Sequence, residues 1–477
     1  MHFKTIFRSF KNKDMLKRIM IILGIIVAYR FLAQIPVPMG DASTFKEAVS
    51  NLLEKSDFSN FLNLISGGGL ASFSIILVGL SPYITGSIVM QLLSKAIPRL
   101  EELSNDGETG RRKINQWTRM LTVPLAIIQS IAYIFILYQS TIAANVSSEF
   151  TPSMGDWVLS VTAMTAGSLI LMWMGELITE QGIGNGISTL IFASIISQLP
   201  TTVAQLGDAL FDTSEGTLQL FGGLEIPVDP RVFWIMVGFA IAMVVVIYLL
   251  VKLNEAQRII TINYAKRVHG NSSYGGIKSI LPIKLIAAGV IPVIFATAFL
   301  SLPALVGQVI TTFDSGNAVG TWLTTVFSAP SASNFTTQYP NGLTWQWFVY
   351  PALYFALVFM FTYFYTSIIF NTKEIADNLQ KQGGFIEGVR PGIKTAEYLG
   401  RVVRRLDLFG ALALGLIAML PFATDLIFIL TVGMPVGLSI SGTGLLIVVT
   451  VALENLRSVD SRALMITYDD FKNDSEN

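Results

Sequence analysis

Residues 348–370 read FVYPALYFALVFMFTYFYTSIIF, from Phe348 to Phe370 without one charged side chain. A bilayer core is about 30 Å thick and takes roughly 20 apolar residues in a helix, so this stretch is long enough to span it. Its flanks differ in charge. The preceding segment, 306–347, has no Lys or Arg, whereas 371–407 behind it has seven. Working outward, the same alternation recurs along the whole chain. Apolar stretches fall at Ile19–Pro36, Ser74–Leu93, Met120–Ser140, Trp157–Met174 and Ile187–Leu206 in the first half. Val232–Val251, Leu285–Leu305, Phe348–Phe370, Leu408–Phe422 and Leu430–Leu453 follow in the second.

Charge orients these ten spans. Alternate loops on one side hold 28 of the 32 basic residues, and only Lys46, Lys55 and Arg231 fall in loops on the other. The last, Arg30, lies near the outer end of the first span, where its head can snorkel to the interface. Basic loops stay inside, so both termini are expected to be cytoplasmic and the protein multi-pass in a membrane. Composition agrees, with 52% hydrophobic and 13% charged residues and a mean hydropathy of +0.59. The lack of cysteine excludes disulfides and thiolate metal sites. Six basic residues precede a first span of membrane length with no small-residue cleavage pattern, so no removable signal peptide is expected.

Several function classes have nothing to work with. Ion-coupled transport uses ionisable groups at mid-membrane depth. Here Glu176 and Glu180 stand at the inner end of the fourth span, and Asp425 is expected in a short loop after the ninth. The two histidines, His2 and His269, both fall on the basic side, and HExxH, GxxxxGK and GxSxG are absent. No enzyme activity, metal or cofactor is expected. What remains inside the membrane is glycine, proline and small polar residues. Ser66-Gly67-Gly68-Gly69 cannot sit stably in an ordinary helix. Pro82 is expected to break the second span, and Gly289, Pro292 and Pro303 the seventh. Two kinked helices, each second in a five-helix half, suggest paired repeats around a central pathway.

Seven motifs, in order, carry a resemblance. They are Asn63-Leu64-Ile65-Ser66-Gly67-Gly68, Pro82-Tyr83-Ile84, Gly107-Glu108-Thr109-Gly110-Arg111-Arg112-Lys113-Ile114 and Gly182-Ile183-Gly184-Asn185-Gly186-Ile187-Ser188. Then come Asn263-Tyr264-Ala265-Lys266-Arg267, Ala288-Gly289-Val290-Ile291-Pro292 and Val389-Arg390-Pro391-Gly392. From about Leu16 to Val459 the chain resembles the SecY family, the protein-conducting channels of the bacterial secretion system.

The resemblance implies an all-α integral membrane fold of ten helices in two inverted, pseudo-symmetric halves around an hourglass pore, set in the bacterial cell membrane. The divisions would be a basic N-terminus at 1–18, halves at 19–225 and 226–453, and a tail at 454–477. A ring of apolar side chains closes the pore in the family; the matching positions are Leu80, Ile84, Ile191, Ile294 and Ile447. A plug would occupy Ser66, Gly67, Gly68, Gly69, Leu70, Ala71 and Ser72, within a stretch reaching Ser74. A lateral gate would be lined by Thr85, Ser87, Gln129 and Ile286, the last standing where many relatives carry Asn. Arg258, Lys266, Arg267, Arg390 and Lys394 would dock the SecA ATPase or a ribosome. Two features depart from the family pattern. The tip of the first large basic loop, His269 to Gly276, lacks arginine, and Arg258 stands alone where many members have two. Implied partners are SecE, SecG, SecA, the ribosome, membrane lipids and polypeptides bearing signal sequences. Two alternatives stay open: a secondary transporter of a small solute on similar repeats, and a poreless scaffold or insertase.

Overall fold

A computed structural model of the full chain describes residues 13–38, 72–143, 153–211, 218–220, 224–226, 230–264, 267–269, 272–274, 278–314, 316–328, 346–432 and 444–462. A helix lies on each of the ten predicted spans. In the first half these are α1 (Lys13–Leu32), α2 (Ser81–Ala96), α4 (Gly107–Ala143), α5 (Met154–Glu180) and α6 (Gly186–Phe211), with a short α3 (Pro98–Asn105) between the second and third spans. In the second half they are α7 (Pro230–Glu255), α8 (Ile291–Phe313), α10 (Gln346–Ile369), α12 (Ile393–Val432) and α13 (444–462). Among the described residues, five of these helices are long and apolar enough to cross a membrane. Outward residues such as Val27, Phe31, Trp234, Ile241 and Leu416 are more than half exposed, as side chains facing lipid would be.

Local chemistry sets the helix starts. Ser153 caps α5 by accepting from the Asp156 amide, while the Asp156 carboxylate accepts from the Ser153 amide. The breaks near Pro82 and Pro292 differ from the expected kinks. In both spans the proline stands in the first turn of its helix, where a missing N–H costs nothing. The preceding residues form turns instead. Gly79 (φ 62°) leads into the Leu80 cap of α2, and Gly289 (φ 63°) leads into the Val290 cap of α8. Pro303, by contrast, lies inside its helix.

The same joint is built twice. A Cβ at Gly167 on α5 would overlap the carbonyl oxygen of Ile75, four residues before Gly79. A Cβ at Gly410 on α12 would overlap the carbonyl oxygen of Leu285, four residues before Gly289. α5 and α12 are each the fourth spanning helix of their half, so the internal repeat is visible in packing as well as in sequence. Successive spans alternate direction, and five crossings separate the two joints; they therefore point oppositely across the membrane.

Elsewhere the sequence reading needs correction. Asp425 lies on α12, which continues to Val432, not in a loop. The opening of the tenth span, 433–443, lies outside the described residues. The two large basic loops are folded: β3 (Gln257–Tyr264) pairs antiparallel with β6 (Lys278–Lys284) from the first and β7 (Gly384–Ile386) from the second. Ile260, Ile283, Ile386, Leu399 and Val403 fill the space beneath this sheet. Short strands β4 (Arg267–His269) and β5 (Ser272–Tyr274) pair at the hairpin tip, so His269 stands on a strand. On the other side, β1 (Leu218–Leu220) pairs with β2 (Leu224–Ile226), and α9 (Ala318–Phe327) packs on α8. A further helix, α11 (Thr372–Lys381), leads into β7.

Candidate functional site: an apolar ring between two halves

α2 contributes Leu80 at its cap and Ile84 one turn on, α6 contributes Ile191, α8 Ile294 and α13 Ile447. All five are 2–7% exposed and belong to one apolar cluster drawn from both halves. The repeat also picks out Val290, which sequence reading did not name among the candidate ring positions. Val290 caps α8 as Leu80 caps α2, is fully buried and joins the same cluster. Its signal was the shared spacing of Gly79-Leu80-Ser81-Pro82 and Gly289-Val290-Ile291-Pro292.

Of the plug positions, Ser66, Gly67, Gly68, Gly69, Leu70 and Ala71 lie outside the described residues. Ser72 is described, and its hydroxyl donates to the Ala33 carbonyl at 2.8 Å. Beside it the chain forms a bridge between Pro36 and Ser74, closed by Val37 N–H to Phe73 O (2.8 Å) and Ile75 N–H to Ile35 O (3.0 Å).

The proposed gate residues fall on helices that meet. α8 packs against α2, α4 and α10. Gly86 lets α2 approach Thr118 and Thr122 of α4. Thr85 and Gln129 are buried, and among the described residues Thr85 Oγ1, both polar atoms of Gln129 and the neighbouring Ser130 hydroxyl have no hydrogen-bond partner. Ser87 accepts from Gln91 Nε2 at 3.1 Å, and Ile286 is buried in the turn before α8. Glu176, at the inner end of the fourth span, is paired with Arg119 at 2.7 Å, joining α5 to α4.

On the basic side the sheet gathers residues of both loops onto one body. Arg258 is exposed on β3, Arg390 is exposed in the turn after β7, and Lys394 is exposed and paired with Glu397 at 2.9 Å. Arg267 lies on β4; Lys266 lies outside the described residues. Side chains from both ends of the chain grip the turn between α5 and α6. Arg18 donates to the Gln181 carbonyl (2.8 Å), and Asn455 Nδ2 donates to Thr189 Oγ1 (3.3 Å). Arg457 donates to Asn254 Oδ1 (3.2 Å) and to its carbonyl (2.9 Å), tying α13 to the end of α7.

A family model described as SecY matches residues 74–456. The chain belongs to the SecY family. Among relatives, a SecY protein translocase subunit of Streptomyces galbus is 38% identical over 470 residues, covering 97% of this chain and 98% of that protein. One from Corynebacterium glutamicum is 37% identical over 472 residues, covering 98% and 99%. The fold resembles a solved protein-conducting channel with a TM-score of 0.62 at 18% identity, over 92% of this chain and 90% of that one. It also resembles a SecY structure described for a plug domain that stabilises the closed channel, with a TM-score of 0.57 at 18% identity and the same coverage. Membership in the SecY family makes this a multi-pass membrane protein and leaves the solute-transporter alternative without support.

Proposed function

We propose that this chain is the central channel subunit of a protein translocase, passing unfolded polypeptide across the membrane and releasing apolar segments sideways into lipid. What supports this reading is that Leu80, Ile84, Ile191, Ile294 and Ile447, the positions marked by family likeness, are all buried in one apolar cluster drawn from four helices and both halves. An aliphatic collar excludes water and ions by dewetting, yet yields to a passing chain without sequence-specific hydrogen bonds. The divisions at 1–18, 19–225, 226–453 and 454–477 follow from this reading, with the plug at 66–72 above the ring. Thr85, Ser87, Gln129 and Ile286 would line the gate, where unpaired polar groups cost free energy in the closed state and gain partners on opening.

The basic module carrying Arg258, Arg267, Arg390 and Lys394 presents cations to ribosomal RNA phosphates or to acidic surface on SecA. One structural neighbour is a Sec61 channel from a canine ribosome–channel complex (TM-score 0.55, 16% identity). SecE and SecG complete the assembly on this reading, which places the basic side in the bacterial cytoplasm and involves no covalent chemistry.

The absence of cysteine allows a direct test. A single Cys at Ile84 or Ile191 should form a disulfide with a stalled secretory chain bearing its own Cys. A Cys at Val244, which is 66% exposed on α7, should not. No bond at either ring position, with targeting intact, would refute the channel reading.

A further inference from the structure

A cavity of about 590 Å³ opens on the basic side, in the size range of small-ligand sites. Its walls come from both halves: Gly182 and Asn185 from the turn after α5, Asn254 from the end of α7, residues 286–289 from the turn before α8, and the rest from β6, α8, α10 and α13. Three cations converge there from two elements: Lys284 at the end of β6, and Arg457 and Arg462 on α13. Glu454 is the one carboxylate in the lining.

None of these three cations has a carboxylate within ion-pair distance among the described residues. Arg457 is held by a neutral group, Asn254, and Arg462 lies where a side chain on Gly182 would collide with its guanidinium. Burial lowers the pKa of the Lys284 ammonium, and neighbouring Arg457 lowers it further, while Glu454 opposes both. The cavity therefore carries excess positive charge. Guanidinium forks approaching with an ammonium suit a group with several anionic oxygens arranged tetrahedrally, whereas one fork alone satisfies a planar carboxylate. Ile369, half-exposed at the end of α10, forms an apolar rim at the level where that span leaves the membrane.

We propose that this cavity is a phosphate-binding site, filled by an anionic lipid headgroup or by free phosphate, with Lys284, Arg457 and Arg462 as its ligands. Ala288 and Gly289 form another wall, so the occupant would press on the joint from which α8 starts. Only this consequence for the gate rests on the channel reading; binding itself does not.

The test uses the purified full chain in neutral detergent and in nanodiscs with or without phosphatidylglycerol. Inorganic phosphate is titrated in detergent, following thermal unfolding, and retained phospholipid is counted by native mass spectrometry. A saturable rise in Tm with phosphate, absent from Lys284→Gln/Arg457→Gln, identifies free phosphate as a ligand. One phosphatidylglycerol retained by the native chain and lost from the double variant identifies the lipid source. Glu454→Gln guards against misfolding of that variant. By removing the opposing charge it should tighten whichever anion binds by roughly tenfold, a gain that a purely structural role would not produce. Equal phosphate response and lipid retention in the native chain and both variants would overturn the proposal. Because no translocation is measured, that failure would leave the channel reading standing.

Discussion

Asp407 shows how one buried group can make stability depend on pH. It stands on α12 just before the ninth predicted span, 6% exposed, with Thr366 of α10 as its hydrogen-bond partner. Burial raises its pKa from 3.8 to about 6, and the Thr366 hydrogen bond offsets part of that rise. The folded state thus holds this proton more tightly than the unfolded chain does. Its contribution to stability is present below about pH 3.8 and is lost as pH rises through 6. A shift of this size corresponds to about 3 kcal/mol. Asp407→Asn should abolish this part of the pH dependence; thermal unfolding of both proteins at pH 4 and pH 8 would check it, parallel curves counting against the assignment. Gln129 is the second residue with a sharp expectation. Replacing its unpaired amide with Leu should favour the closed gate by about 1–3 kcal/mol. Insertion of a marginally hydrophobic signal sequence should then fall, while insertion of a strong one should hardly change. These roles could be read from sequence only in part. Gln129 was named only through family likeness, as a gate position, and the burial of Asp407 depends on α10, distant in the chain.

At the scale of elements, the two joints before α2 and α8 were half legible. Glycine and proline marked where regular structure fails, but the letter P is the same in a kink as in a first helical turn. Only the backbone shows that both spans start late, after turns seated on glycines of α5 and α12. Gly167→Ala and Gly410→Ala should each destabilise the protein by about 1–3 kcal/mol, since the added methyl meets main chain that cannot step aside. Gly24→Ala, with nothing within 4 Å, should be neutral or slightly stabilising. Urea titrations in detergent would compare the three. The sheet of the basic module was hidden for another reason. Gln257–Tyr264 buries Ile260 and Ile262 on alternate positions, a strand pattern. Its charge and its place between spans nevertheless suggested a solvated loop, and β7, its second neighbour, lies more than a hundred residues away.

At the scale of the molecule, the multi-pass membrane class was readable because hydropathy acts over whole segments. The proposed ring was not, since Leu and Ile are common in any spanning helix and only family likeness singled out five of them. Val290 is set apart by the internal repeat instead, as the counterpart of Leu80. The ends of the chain also act on the whole. α13 reaches the first half through Asn455 and Thr189, a contact across 266 positions of sequence. A double-mutant cycle of Asn455→Ala and Thr189→Val should give a coupling of about 0.5–1 kcal/mol. In planar bilayers, each single variant should conduct ions more often than the native chain; unchanged conductance would assign this contact to folding alone.

The bridge between Pro36 and Ser74 has a kinetic meaning on the channel reading. It anchors one end of the plug's stretch of chain to the segment leaving α1. Seven residues, 66–72, extended at about 3.4 Å each, reach roughly 24 Å from that anchor and no further. A plug over these residues, as proposed, would thus be leashed when displaced. Its return is an intramolecular search within a small sphere, at an effective concentration on the order of millimolar. Resealing should be first order, quick, and independent of how much channel the membrane holds.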